Sequence, residues 1–151
     1  MISFDANLLL YAINTASPCH EGARKFLETM SRRGDVGLSE LVLVEVYTLL
    51  RNPAVLTNPM SPTEAVSVIQ TFRRHPQWAV LGFPTESVAL HEELWRLAAQ
   101  SGLARRRIYD VRLALALRRH GVTEFATANI KDFDGLGFDR VWNPLAGQGG
   151  N

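Results

Sequence analysis

Short apolar runs alternate with longer segments of helical periodicity along this chain, and this alternation constrains the fold more than any other feature. The runs with the length and apolar character of strands lie at residues 1–4, 36–38, 78–81, 124–127 and 141–142. The segments with helical spacing lie at residues 7–14, 17–33, 40–51, 62–75, 86–101 and 108–120. This order predicts a three-layer α/β/α fold with a mostly parallel central sheet.

The length and composition favour a single globular domain. With 151 residues, 46% of them hydrophobic and 21% charged, the chain can bury a substantial core. We expect one domain over residues 1–146 and a flexible tail over residues 147–151. The sole cysteine, Cys19, cannot form an internal disulfide, which favours the cytoplasm. The apolar run 8–13 is too short to span a membrane, so no membrane association is expected.

The charge is balanced overall but uneven along the chain. A net charge of +1 gives no global signature of a nucleic-acid-binding protein. Four arginines nevertheless lie around the start of the last long helical segment and are candidates for phosphate contacts: Arg105, Arg106, Arg107 and Arg112. A solvated helix face would explain the same arginines, so their charge alone does not identify a ligand.

Asp5 is an isolated carboxylate in an apolar N-terminal segment, directly after the first predicted strand. A charge among residues that are to be buried is costly unless it is paired or coordinates a cation. Asp is also a common N-cap, and that role alone would account for Asp5 at the start of the helical segment that follows. The positions of the other carboxylates therefore decide between these two interpretations.

Two further carboxylates stand in largely apolar helical segments. Glu45 is the only charged residue of the run 41–50, in a helix that its composition predicts to be central, and its mid-helix position excludes an N-cap role. Asp110 lies in the first turn of the apolar segment 108–120, where the helix dipole alone could favour an anion. Asn129 and Asp132 follow the strand 124–127, in a predicted turn over residues 129–133.

These side chains are expected to meet at one edge of the sheet. In open parallel sheets, ligands bind in the crevice at the carboxyl ends of the strands. Carboxylates at close range cannot all stay ionised without a counter-charge. A divalent cation resolves the conflict, and a carboxylate-rich site suits Mg²⁺ or Mn²⁺ better than zinc. Such an ion acts mainly on phosphates, which would give the neighbouring arginines a role as phosphate contacts.

The sequence resembles the PIN-domain ribonucleases and, within them, the VapC-type toxins of bacterial toxin–antitoxin pairs. The resemblance rests on four features in order along nearly the whole chain: the segment 4–9 with Asp5, Glu45 in an apolar helix, Asp110 before the run 113–116, and the segment 127–133 followed by 142–145.

The resemblance implies that Asp5, Glu45, Asp110 and Asp132 are catalytic. Asp5 and Asp110 would be metal ligands, with Glu45 and Asp132 as possible further ligands. It leaves open whether Asn129 or Asp132 fills the fourth acidic position; we expect Asp132. Outer-shell roles would fall to the following residues: Asn7, Thr127 and Asn129.

The same resemblance implies an endoribonuclease in which metal-activated water attacks the phosphodiester, leaving a 5′-phosphate and a 3′-hydroxyl. It also implies a homodimer and a small VapB-type antitoxin that blocks the site. Two alternatives remain: a PIN-like module that binds RNA or protein without cleaving, and a haloacid-dehalogenase-type phosphatase. The phosphatase family requires a second Asp two residues after the first, and Asn7 occupies that position.

Overall fold

The computed structural model describes residues 1–100 and 102–147. Within these ranges the strands are β1 (Ile2–Phe4), β2 (Gly37–Ser39), β3 (Ala79–Leu81), β4 (Glu124–Ala126) and β5 (Arg140–Trp142). The helices are α1 (Ala6–Ile13), α2 (His20–Met30), α3 (Glu40–Leu50), α4 (Pro62–Arg73), α5 (Ser87–Ala98), α6 (Arg107–Arg119) and α7 (Ile130–Phe133). The predicted tail lies outside the described residues except for Gly147.

The strands form a three-stranded and a two-stranded parallel sheet, which lie side by side in the order β3-β2-β1-β4-β5. β1 pairs with β4, β4 with β5, and β2 with β3, all in parallel. An isolated parallel bridge between Ile2 and Val36 joins the two halves. The predicted α/β fold with a mostly parallel sheet is therefore confirmed.

The order of the strands explains why helices cover both faces of the sheet. The chain moves outward from β1 to β3 and then returns past β1 to β4 and β5. Because parallel crossovers are right-handed, the outward and returning connections lie on opposite faces. The helix contacts agree with this arrangement, since α1 contacts α2 and α3, and α3 contacts α4, whereas α6 contacts α5 and α7.

Aromatic side chains anchor the strands that carry the site. Phe4 on β1 is fully buried and packs edge-on against Phe26 and Trp78, with ring centroids 5.7 and 5.4 Å away. Phe125 on β4 is also fully buried and packs against Phe133, with the ring centroids 4.6 Å apart. The second contact fixes α7 beside the end of β4.

Three details differ from the sequence-based expectations. The predicted turn 129–133 contains the helical turn α7, which Phe133 holds against the sheet. Helix α2 begins at His20, because the Ser17 hydroxyl accepts a hydrogen bond from Cys19 N and caps a preceding turn instead. Helix α3 is not buried all round, since Val44 is 64% exposed and Glu45 is exposed beside it.

No helix in the described ranges has the length and hydrophobicity that crossing a membrane requires.

Candidate active site

The candidate site lies where the two halves of the sheet diverge. Asp5 follows β1 and Thr127 follows β4, the adjacent strand, and the connections from these two strands lead to opposite sides. Asp5 N donates a hydrogen bond to Ala126 O at 2.9 Å, which keeps the two strand ends together. This divergence is the place where open α/β sheets form a ligand-binding crevice.

The carboxylate of Asp5 is held by three donors. Its Oδ1 accepts from Ala6 N at 2.8 Å, so Asp5 is the N-cap of α1, as one interpretation of the sequence proposed. Its Oδ2 accepts from Thr127 Oγ1 at 2.7 Å and from Asn7 Nδ2 at 3.2 Å. Asp5 is only 8% exposed. The cap therefore fixes one oxygen, and two side chains orient the other.

Asn7 and Thr127 are themselves held by the backbone after β4. Asn7 Oδ1 accepts from Ala128 N at 3.3 Å, and Thr127 Oγ1 accepts from Asn129 N at 3.0 Å. Of the three predicted outer-shell residues, Asn7 and Thr127 thus contact Asp5 directly, and Asn129 contributes through its backbone. Their role at a metal site stays a prediction.

The electrostatics couple Asp110 to two of the other acids. Burial, followed by the charges of Asp132 and Asp5, raises the pKa of Asp110 to about 6, against a smaller opposing effect of Arg107. Burial also raises the pKa of Asp5, and the charge of Asp132 adds to that rise, while the hydrogen bond from Thr127 opposes it. The charges of Asp132 and Asp5 therefore act on Asp110, and the charge of Asp132 acts on Asp5.

Glu45 joins this group from α3. It lies on the exposed face of its helix, yet partial burial of the carboxyl group raises its pKa, and the charges of Asp5 and Asp110 raise it further. The apolar run 41–50 predicted a central helix, and in the structure Glu45 lies on the exposed face of that helix.

The four candidate arginines have different surroundings. Arg105 and Arg106 are exposed. Arg112 is half-buried, with its guanidinium 5.9 Å from the centroid of the Tyr109 ring. Arg107 donates to backbone carbonyls, from Nε to Asp132 O at 3.3 Å and from Nη2 to Asp134 O at 3.1 Å. These contacts could not be predicted from the sequence, because both acceptors belong to the main chain.

The chemistry of the acidic group suits a hard divalent cation. Among the residues that the structure describes, no three His, Cys, Asp or Glu side chains lie close enough together to hold one ion directly. Mg²⁺ does not need such a cage, since it keeps several waters and is held through one or two carboxylates. Asp5 and Asp110 could supply these direct ligands, with Glu45 and Asp132 acting through coordinated water.

Removing the charge of Asp110 is expected to stabilise the protein in the absence of divalent ions. The pKa of Asp110 is raised to about 6 from an ordinary value of 3.8, so the folded state binds more protons between these values. The free energy of unfolding therefore falls as pH rises through this window. A rise in pKa of this size corresponds to a loss of about 3 kcal/mol in the free energy of unfolding once Asp110 is fully ionised. Since Asp110 is partly solvated, we expect Asp110→Asn to gain about 1 to 2 kcal/mol at pH 7.

Urea unfolding of the two proteins in EDTA at pH 4 and pH 7 measures this difference. The gain should shrink towards pH 4, where Asp110 is protonated in the folded state. Asp134→Asn, which changes an exposed carboxyl on the same side of the fold, should show no comparable gain. Equal stability of Asp110→Asn and the unmodified protein at pH 7 would contradict the expected repulsion.

The fold and the acidic group at the divergence of the strands define a known class. A family model described as the PIN domain matches residues 2–138, and this chain belongs to that family. One relative is ribonuclease VapC24 of Mycobacterium tuberculosis, which is 51% identical over 149 residues, covering 99% of this chain and 100% of the relative. The resemblance inferred from the sequence is confirmed. Ribonucleases of this family generally depend on divalent metal ions.

Solved structures share the fold at lower sequence identity. VapBC2 of Rickettsia felis, bound to a DNA fragment from its promoter, matches with a TM-score of 0.65 and 19% identity, over 94% of this chain and 98% of that chain. VapC20 of Mycobacterium tuberculosis, a toxin that cleaves the sarcin-ricin loop, matches with a TM-score of 0.61 and 18% identity, over 83% and 87%. Membership of the PIN-domain family excludes the phosphatase alternative.

Proposed function

We propose that this protein is an endoribonuclease that hydrolyses RNA phosphodiester bonds with Mg²⁺, which Mn²⁺ can replace, and that it is the toxin of a toxin–antitoxin pair. The observation that carries the proposal is the acidic group at the end of β1. There Ala6, Asn7 and Thr127 hold the carboxylate of Asp5, and burial, followed by the charges of Asp132 and Asp5, raises the pKa of Asp110 to about 6. The identity of 51% to ribonuclease VapC24 supports the same activity.

In this proposal the residues of the site have different roles in binding the ion. Asp5 and Asp110 would hold the ion, and Glu45 and Asp132 would complete its surroundings through water. When bound, the divalent ion supplies activated water and stabilises the charge that develops on the phosphate. Thr127 and Asn7 keep Asp5 oriented through the hydrogen bonds that Oδ2 accepts.

The substrate would reach this site across a basic surface. Arg105 and Arg106 are exposed just before the start of α6, five and four residues before Asp110 in the sequence. Together with Arg112 they could contact backbone phosphates, which position a nucleic acid without reading its sequence.

We also propose the partners and setting that accompany this activity. The toxin would act in the cytoplasm as a homodimer, with residues 1–146 as a single PIN domain. A VapB-type antitoxin would neutralise it by covering the acidic site.

Metal dependence tests the catalytic part of the proposal. The purified protein should cleave structured RNA in Mg²⁺ or Mn²⁺ and lose at least about a thousandfold in rate in EDTA, because the ion contributes several kcal/mol to the transition state. Electrophoresis of end-labelled RNA measures the rate and identifies the product ends, and added Mg²⁺ should restore cleavage. Cleavage that persists in EDTA would contradict the mechanism. RNA binding without cleavage would favour the non-catalytic module.

A further inference from the structure

Two arginines on one face of α6 brace the segment that carries Asp132. Arg107 donates to Asp132 O at 3.3 Å and to Asp134 O at 3.1 Å. Eleven residues later, three turns along the helix, Arg118 donates to Leu136 O at 3.4 Å. The Arg118 guanidinium also lies against Gly137, where a Cβ would come within 2.5 Å of its Cζ.

The segment needs such bracing because α7 is very short. A helix of four residues, Ile130–Phe133, cannot be stable on its own. Its last carbonyl groups have no partner within the helix, and a basic side chain near a helix C-terminus can satisfy them. Phe133 fixes the apolar side of this turn against Phe125. Arg107 satisfies its polar end, including the carbonyl of Asp132 itself.

The same guanidinium faces the other half of the acidic group. Arg107 stands in the first turn of α6, three residues before Asp110, so the two side chains are neighbours on the same face of the helix. It is half-buried, unlike the exposed Arg105 and Arg106. One side chain therefore contacts the backbone of Asp132 and lies near Asp110.

We propose that Arg107 is a positioning residue that fixes Asp132 relative to Asp110, and not a ligand of RNA phosphate. This role rests on the proposed function, since the spacing of the two acids matters only if they act on one ion. The guanidinium fork reaches two carbonyls at once, which the single ammonium of a lysine does not reproduce.

Binding of Mn²⁺ alone, measured by titration calorimetry, separates positioning from contact with RNA. Arg107→Gln should weaken Mn²⁺ binding and lower kcat by about 10- to 100-fold, the usual effect of losing a residue that orients metal ligands. The KM for RNA should stay unchanged. Arg107→Lys keeps the positive charge but loses the planar guanidinium group. Its Mn²⁺ affinity and kcat should therefore remain at least about tenfold below those of the unmodified protein. Arg119→Gln, which changes an arginine of the same helix that pairs with Glu93 on α5, should leave Mn²⁺ affinity and kcat unchanged.

Several results would overturn this role. A raised KM with unchanged Mn²⁺ affinity and kcat would make Arg107 a phosphate contact, and its loss would then also reduce the salt dependence of RNA binding. If Arg107→Lys had the same Mn²⁺ affinity and kcat as the unmodified protein, the role of Arg107 would depend on its charge alone. If the unmodified protein binds Mn²⁺ but does not cleave RNA, the proposed function fails. The positioning role of Arg107 would still be tested by comparing the Mn²⁺ affinities of its variants with that of the unmodified protein. Failure of the unmodified protein to bind Mn²⁺ would overturn both.

Discussion

Replacing Asp5 by asparagine is expected to lower the rate of RNA cleavage by about a thousandfold or more. The substitution removes one negative charge from a metal ligand, and several kcal/mol of transition-state stabilisation correspond to at least three factors of ten. The fold should survive, because Asn is an equally good N-cap and its Oδ1 can still accept from Ala6 N. A loss of activity in a folded variant would therefore report on the charge.

Single-turnover cleavage of a labelled RNA measures this effect, with thermal unfolding of the same samples as the check on folding. Asp134→Asn is the matched control, since it removes an exposed carboxyl two residues after Asp132. The control should cleave at the unmodified rate. If Asp5→Asn retained more than about a tenth of the activity, Asp5 would have to be a structural cap alone.

The position of the site could be predicted because it follows from the direction of the chain. Parallel strands bring their carboxyl ends to one edge, so Asp5 after β1 and Thr127 after β4 had to lie close together once the two strands paired. The alternation of strands and helices predicted that edge without any knowledge of individual contacts. The same reasoning placed Asp110 and Asp132 near the edge, and the effects on the pKa of Asp110 agree.

The finer geometry could not be predicted, because it depends on contacts between distant segments. Arg107 looked like another member of a basic cluster, and only the backbone path after β4 reveals that it donates to Asp132 O. Glu45 shared an apolar run with its neighbours, but the packing of α3 leaves one face of that helix exposed. Hydropathy describes how apolar a helix is, and it does not describe which neighbours cover each face.

Expression of this protein without the proposed antitoxin is expected to stop the growth of bacterial cells, whereas Asp110→Asn should be harmless. Enzymes commonly turn over about 1 to 1,000 substrates per second, so a few copies could destroy an essential RNA faster than it is renewed. A protein that only binds RNA can block no more RNA molecules than there are copies of the protein. The colony count after induction measures the difference, with immunoblots to match the protein levels.

The Asp110 variant distinguishes catalysis from binding in this experiment. Its fold is expected to be at least as stable as that of the unmodified protein, so harmlessness would not arise from misfolding or loss of protein. Asp134→Asn should arrest growth as fully as the unmodified protein does. Arrest by Asp110→Asn would mean that the protein is toxic by occupying a partner, and unhindered growth with an active enzyme would argue against a toxin. Arrest that requires Asp110 would connect the acidic group at the end of β1 to toxicity by way of catalysis.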